Sequence, residues 1–111
     1  MRIEKEIVKH QTEFEEICRN HNVRYLYAFG SSTNSSFNFK SSDFDFLTEL
    51  DVSDPLEKGE KLISLWDTLE SLFGRKIDLL TESSITNPYL KKSIDSTKVL
   101  IYDGERAKIS G

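Results

Sequence analysis

Apolar residues along this chain recur with two different periods, and the switches between them mark out its elements. From Arg2 to Asn20, Ile3, Ile7, Phe14, Ile17 and Cys18 fall at helical spacing with Glu and Lys between them, which predicts one amphipathic opening helix. Val23 to Phe29 is a short run rich in Val, Tyr, Leu and Phe, a buried strand closed by Gly30. A second strand begins near Asp43, where Asp43 and Asp45 fall on one face and Phe44 and Phe46 on the other. Asp54 followed by Pro55 reads as the start of a long helix, and Gly74 as its stop. Between them Leu62, Leu65, Trp66, Leu69, Leu72 and Phe73 form a stripe that packs on the sheet. Lys76 to Thr81 is a third strand, Asn87 and Pro88 open a shorter helix, and Val99 to Tyr102 is a last strand. This order of elements is that of an α/β or α+β domain.

Composition narrows the picture. A length of 111 residues suits one domain over 1–111, with a polar tail from about 104. A net charge of -4 argues against direct binding of nucleic acid over a large surface. The single cysteine, Cys18, excludes an intrachain disulfide, and no apolar signal segment or membrane-length run is present, which points to the reducing cytoplasm and away from a membrane. Cys18 lies on the apolar stripe and reads as a small buried hydrophobe; His10 and His21 lack metal-ligand spacing and read as surface or capping residues. Trp66 reads as core.

Candidate chemistry gathers between Tyr27 and Leu50. Gly30 and Ser31 directly follow a strand, where free backbone N–H groups and a small residue suit phosphate oxygens. Asp43 and Asp45 lie roughly 6 to 7 Å apart along one strand face and would repel each other unless a divalent cation sat beside them. Asp78 is the one acid within KIDLLT. Set beside Asp43 and Asp45, it completes an all-oxygen cluster suited to Mg²⁺ or Mn²⁺ and not to zinc. The intervening segment Ser31 to Ser42 ends at these acids and contains Phe37 and Phe39, which favours an ordered loop or short helix over a linker.

Gly-Ser, a short loop, Ser-Asp-x-Asp and a third Asp on a following strand resemble the DNA polymerase β-like nucleotidyltransferases, and the small size is similar to their minimal nucleotidyltransferase (MNT) members. The resemblance implies a mixed-sheet palm in which Asp43, Asp45 and Asp78 hold metal ions and act in catalysis. Gly30 and Ser31 would grip the nucleotide. It implies ATP or another nucleoside triphosphate as substrate, transfer of a nucleoside monophosphate to a hydroxyl, and, by similarity to MNT antitoxins, a tyrosine of a HEPN-type toxin as acceptor. The alternatives are a catalytically degenerate MNT domain that neutralises a partner by contact and an adenylyltransferase of small molecules. Homo-oligomer formation stays open. Thr33, Asn34 and Ser35 stand where the family often places Arg and Gly after Gly-Ser, so a phosphate-neutralising cation is sought in Lys40, Arg75 or Lys76.

Overall fold

The computed structural model describes residues 2–29 and 44–105, with side chains from residue 5 onward. Two helices open the chain, α1 (Arg2–Lys9) and α2 (Gln11–Asn20), where the sequence predicts one. The break is at His10, whose backbone leaves helical values at φ -121 and ψ 30. The apolar stripe explains it: after Ile7 the positions that would continue it are His10 and Gln11, and the next deep anchor is Phe14. The His10 ring instead lies edge-on to Phe73 at 6.5 Å.

Asn22 takes φ 57, a left-handed conformation that Asn tolerates, and turns the chain from α2 into β1 (Val23–Phe29). Its carbonyl accepts the N–H of Asp51 at 2.7 Å, which ties this turn to the end of β2 (Phe44–Leu50). The helix α3 (Pro55–Phe73) starts as the sequence predicts, with the Asp54 carboxylate accepting from Glu57 N at 3.2 Å and Pro55 in the first turn. It ends on Gly74 at φ 62. Then follow β3 (Ile77–Thr81), a 3-10 turn at Glu82–Ser84, α4 (Pro88–Thr97) capped by the Asn87 side chain, and β4 (Val99–Asp103).

The four strands form one mixed sheet in the order β3-β2-β1-β4. β1 runs antiparallel to both β2 and β4, while β2 and β3 are parallel. Parallel neighbours need a crossover, and α3 supplies it. One face carries the main core: Phe14 and Cys18 of α2 and Leu65, Leu69 and Phe73 of α3 pack on Leu26, Phe46 and Leu79. Phe73 is its hub, with ring centroids of Phe14, Phe44 and Phe46 at 6.2, 5.7 and 6.2 Å. Burial pushes the Cys18 thiol pKa up, which keeps it protonated and inert, as its place on the stripe predicts. His21 joins α2 to α3: its Nδ1 donates to Ile17 O at 2.7 Å, and its Nε2 lies 2.9 Å from Ser64 Oγ. The other face holds a smaller apolar cluster of Phe29, Leu47 and Ile94, with α4 laid across it.

Candidate active site

Alternation along β2 separates aromatics from acid. Phe44 and Phe46 enter the helix-covered core, so Asp45 falls on the opposite face with Leu47. On β3, Ile77 and Leu79 likewise enter the core and Asp78 faces the other way. The parallel register sets Asp45 directly beside Asp78. At a strand spacing of about 4.8 Å, with both Cβ atoms on one face, the two carboxylates stand abreast. Asp45 is buried at 5% exposure and Asp78 is half-buried.

The rest of the row continues across the sheet, with Phe29, the last residue of β1, paired to Asp45. The chain therefore leaves β1 beside the acids. Gly30, Ser31 and Asp43, and with them the whole segment Ser31 to Ser42, lie outside the described residues. The structure thus brings together two of the five predicted site residues, Asp45 and Asp78, as neighbours on adjacent strands.

Asp78 is fixed by α3 through the residue before it. Trp66 Nε1 donates to Ile77 O at 2.8 Å, and the Glu70 carboxylate accepts from Ile77 N at 3.0 Å. Both backbone groups of Ile77 are thus held by one helix. Trp66 is partly buried and packs against the core, and its indole N–H adds a structural bond that periodicity does not announce. Of the cations sought for the phosphates, Lys40 lies outside the described residues, and Arg75 sits 5.8 Å from the centroid of Phe44, a ring of the opposite face. Lys76 is exposed just before β3.

Another cation, unsuspected from the sequence, reaches the acid-bearing face. The Lys98 ammonium lies 4.7 Å from the centroid of Tyr27 and 3.1 Å from Asp95 Oδ1. Its neighbour Val99 pairs with Ala28, which places Lys98 opposite Phe29. Only the pairing of β4 with β1 reveals this. A cleft of about 130 Å³ also opens at the far end of the sheet among Arg19, Arg24, Asp51 and Tyr102. Asp51 lies six residues beyond Asp45, about 20 Å along the strand, so this cleft is separate from the paired acids.

A mixed sheet covered by helices on both faces, with two carboxylates side by side where β1 ends, makes this an α+β domain. The chain belongs to the polymerase beta nucleotidyltransferase family, whose profile matches residues 12–107. Two chains of the archaeon Methanocaldococcus jannaschii, both provisionally named protein adenylyltransferases, are similar to it. One is 36% identical over 102 residues, covering 85% of this chain and 100% of the relative. The other is 38% identical over 98 residues, covering 87% and 93%. Among solved structures, a mutant MntA–HpeT toxin–antitoxin pair contains a chain that superposes with a TM-score of 0.55 at 18% identity, over 84% of this chain and 72% of that one. A toxin–antitoxin structure with AMP-PNP gives 0.53 at 19% identity, over 90% and 73%. At these identities the structures share the fold.

Among the described residues, no helix is long and apolar enough to cross a membrane.

Proposed function

We propose that this protein transfers AMP from ATP to a tyrosine hydroxyl of a HEPN-type partner protein and thereby acts as an antitoxin. The observation that carries the reading is the pairing of Asp45 with Asp78 on adjacent parallel strands, facing away from the core. Relatives named for protein adenylylation over nearly the whole chain support the choice of reaction and acceptor class. The AMP-PNP and toxin–antitoxin structures that share the fold support the nucleotide and the partner.

The donor set fits a hard divalent cation: two carboxylates lie abreast, and the two histidines belong to α2 and its flanks on the other side of the sheet. Asp45 and Asp78, with Asp43 two residues before Asp45 in the sequence, would hold Mg²⁺ or Mn²⁺. Such an ion supplies charge neutralisation for the triphosphate and lowers the pKa of an acceptor hydroxyl.

In this reading Gly30 and Ser31 bind the β- and γ-phosphates through backbone N–H groups, and the acids orient the α-phosphate for in-line attack. The bond from the acceptor oxygen to the α-phosphorus forms as the bond to the β-phosphate bridging oxygen breaks. Pyrophosphate departs with that electron pair, and the acceptor proton passes to the Asp78 carboxylate. The apolar cluster of Phe29, Leu47 and Ile94 flanks the acids and limits water as a competing acceptor.

The test is incubation of the protein with ATP, Mg²⁺ and a co-expressed HEPN protein, read by intact and tryptic mass spectrometry. A mass increment of one AMP on a tyrosine is expected, and its absence with wild type and Asp45→Asn alike refutes the transfer reading. Neutralisation of the partner that survives Asp45→Asn would identify a contact-only antitoxin.

A further inference from the structure

We propose that Tyr89 is itself an AMP acceptor, modified in trans by a second copy of this chain; this rests on the AMP-transfer reading above. The chain has four tyrosines, all among the described residues, and three of them are withdrawn from such a reaction. The Tyr25 hydroxyl donates to the Glu82 carboxylate at 2.8 Å, and burial together with that bond pushes its pKa up. Tyr27 is half-buried, with the Tyr25 ring 5.4 Å from its centroid and the Lys98 ammonium 4.7 Å from it. Tyr102 belongs to the main core at 8% exposure, where burial raises its pKa too.

Tyr89 is the opposite case. It is 84% exposed, the largest value among the exposed large hydrophobic residues, although nothing in the core requires an aromatic there. Its backbone is held while its ring is free: the Asn87 side chain accepts from Tyr89 N at 2.8 Å and from Leu90 N at 3.3 Å. Only two side-chain torsions then have to be fixed when the ring enters a site, a small entropic cost. The setting also suits a polyanionic partner surface. The first turn of α4 contains no acid, and Lys92, three residues on, shares the face of Tyr89. A carboxylate there would be repelled by the paired acids and the triphosphate; a lysine is attracted.

Transfer within one chain is excluded by the course of α4. Val99 pairs with Ala28, and Phe29 with Asp45, so α4 ends level with the acids. It starts at the other end of the sheet, after Thr81, which pairs with Thr48 three residues beyond Asp45. Tyr89 lies eight residues before Thr97, about 12 Å along the helix axis, and its Cα–Cβ bond tilts further away, toward the helix start. The donor site must therefore belong to another molecule. There the Tyr89 oxygen bonds to the α-phosphorus of ATP as the bond to the β-phosphate bridging oxygen breaks. Pyrophosphate takes that electron pair, and the phenol proton passes to the second copy's Asp78 carboxylate.

The test is incubation of the full-length protein alone with ATP and Mg²⁺, read by intact and tryptic mass spectrometry, with a parallel reaction containing the HEPN partner. An increment of one AMP is expected on the tryptic peptide 77–91, whose one tyrosine is Tyr89. Tyr89→Phe should abolish it and leave transfer to the partner at the wild-type rate. Mixing Tyr89→Phe, which keeps the acids, with Asp45→Asn, which keeps the tyrosine, should label the Asp45→Asn molecules, and the labelled fraction per unit time should double when the Tyr89→Phe concentration doubles. Transfer to the partner with peptide 77–91 unmodified overturns the proposal and leaves the AMP-transfer reading standing. An adduct that survives Tyr89→Phe, or Asp45→Asn molecules that stay unlabelled in the mixture, overturns it as well. Absence of AMP from both the protein and its partner would bring down the transfer reading itself, and Tyr89 with it.

Discussion

The two faces of the sheet are built from alternate residues of the same strands and do opposite things. On the face covered by α2 and α3, Phe46 is 0% exposed and stacks on Phe73, with Phe44 also in contact. On the other, Asp45 and Asp78 stand beside a small cluster under the ten residues of α4. One face is a closed aromatic core; the other is a charged site with an apolar border. The difference teaches how the acids are placed. Because side chains alternate with period two, a slip of one residue in β2 would put Asp45 into the aromatic core and Phe46 at the site. Packing on the closed face therefore specifies the register of the open one.

The largest effect should come from the closed face. Phe46→Ala removes a fully buried ring and is expected to cost about 3–5 kcal/mol, measured by urea unfolding. A cost below about 1 kcal/mol would mean that the faces share the stabilising load. The open face should respond in activity. Asp45→Asn is isosteric and should leave the unfolding midpoint nearly unchanged while reducing AMP transfer on the order of 10²- to 10³-fold, as loss of a preorganised electrostatic group does. If both variants lose stability and activity together, the division between the faces fails.

Most of this fold was legible because each signal had a local cause. The Asp54–Pro55 start, the Gly74 stop and the Asn87–Pro88 start all depend on the chemistry of neighbouring residues, and the structure has each cap where the sequence predicts it. Alternation in β2 and β3 was also enough to place Asp45 and Asp78 on the same kind of face. What the residues alone left open was non-local. That β2 and β3 are neighbours, and in the register that pairs Asp45 with Asp78, is a tertiary fact that motif resemblance anticipates and periodicity does not. Lys98 was invisible for the same reason: its position depends on β4 pairing with β1 across seventy residues of chain. The single opening helix failed on a subtler point, since helical spacing persists on both sides of His10 while the stripe skips the turn between Ile7 and Phe14.

A smaller effect should come from the link between the two faces. Glu70 belongs to the closed side, yet its carboxylate holds Ile77 N, one residue before Asp78. Glu70→Ala should cost about 1–2 kcal/mol for a charge-assisted, half-buried hydrogen bond. It should also reduce AMP transfer at temperatures where the variant is still folded. Full activity in a destabilised Glu70→Ala would show that Trp66, which holds Ile77 O, positions Asp78 without help.

Asp54→Ala is the smallest of the expected changes and the control for the other three. Asp54 caps α3 at the rim of the closed face, where its carboxylate accepts from Glu57 N at 3.2 Å and contacts neither the aromatic hub nor Ile77. Losing that cap should cost about 1 kcal/mol, near the typical value for an N-cap aspartate. Pro55 at the start of the helix retains the backbone geometry of the first turn, which limits fraying. Activity per folded molecule should equal that of wild type, because the strand bearing Asp78 is held from residues Trp66 and Glu70, more than two turns further along α3. A loss of activity comparable to that of Glu70→Ala would mean that the whole of α3 sets the position of Asp78, and the two bonds to Ile77 would lose their special place in the account.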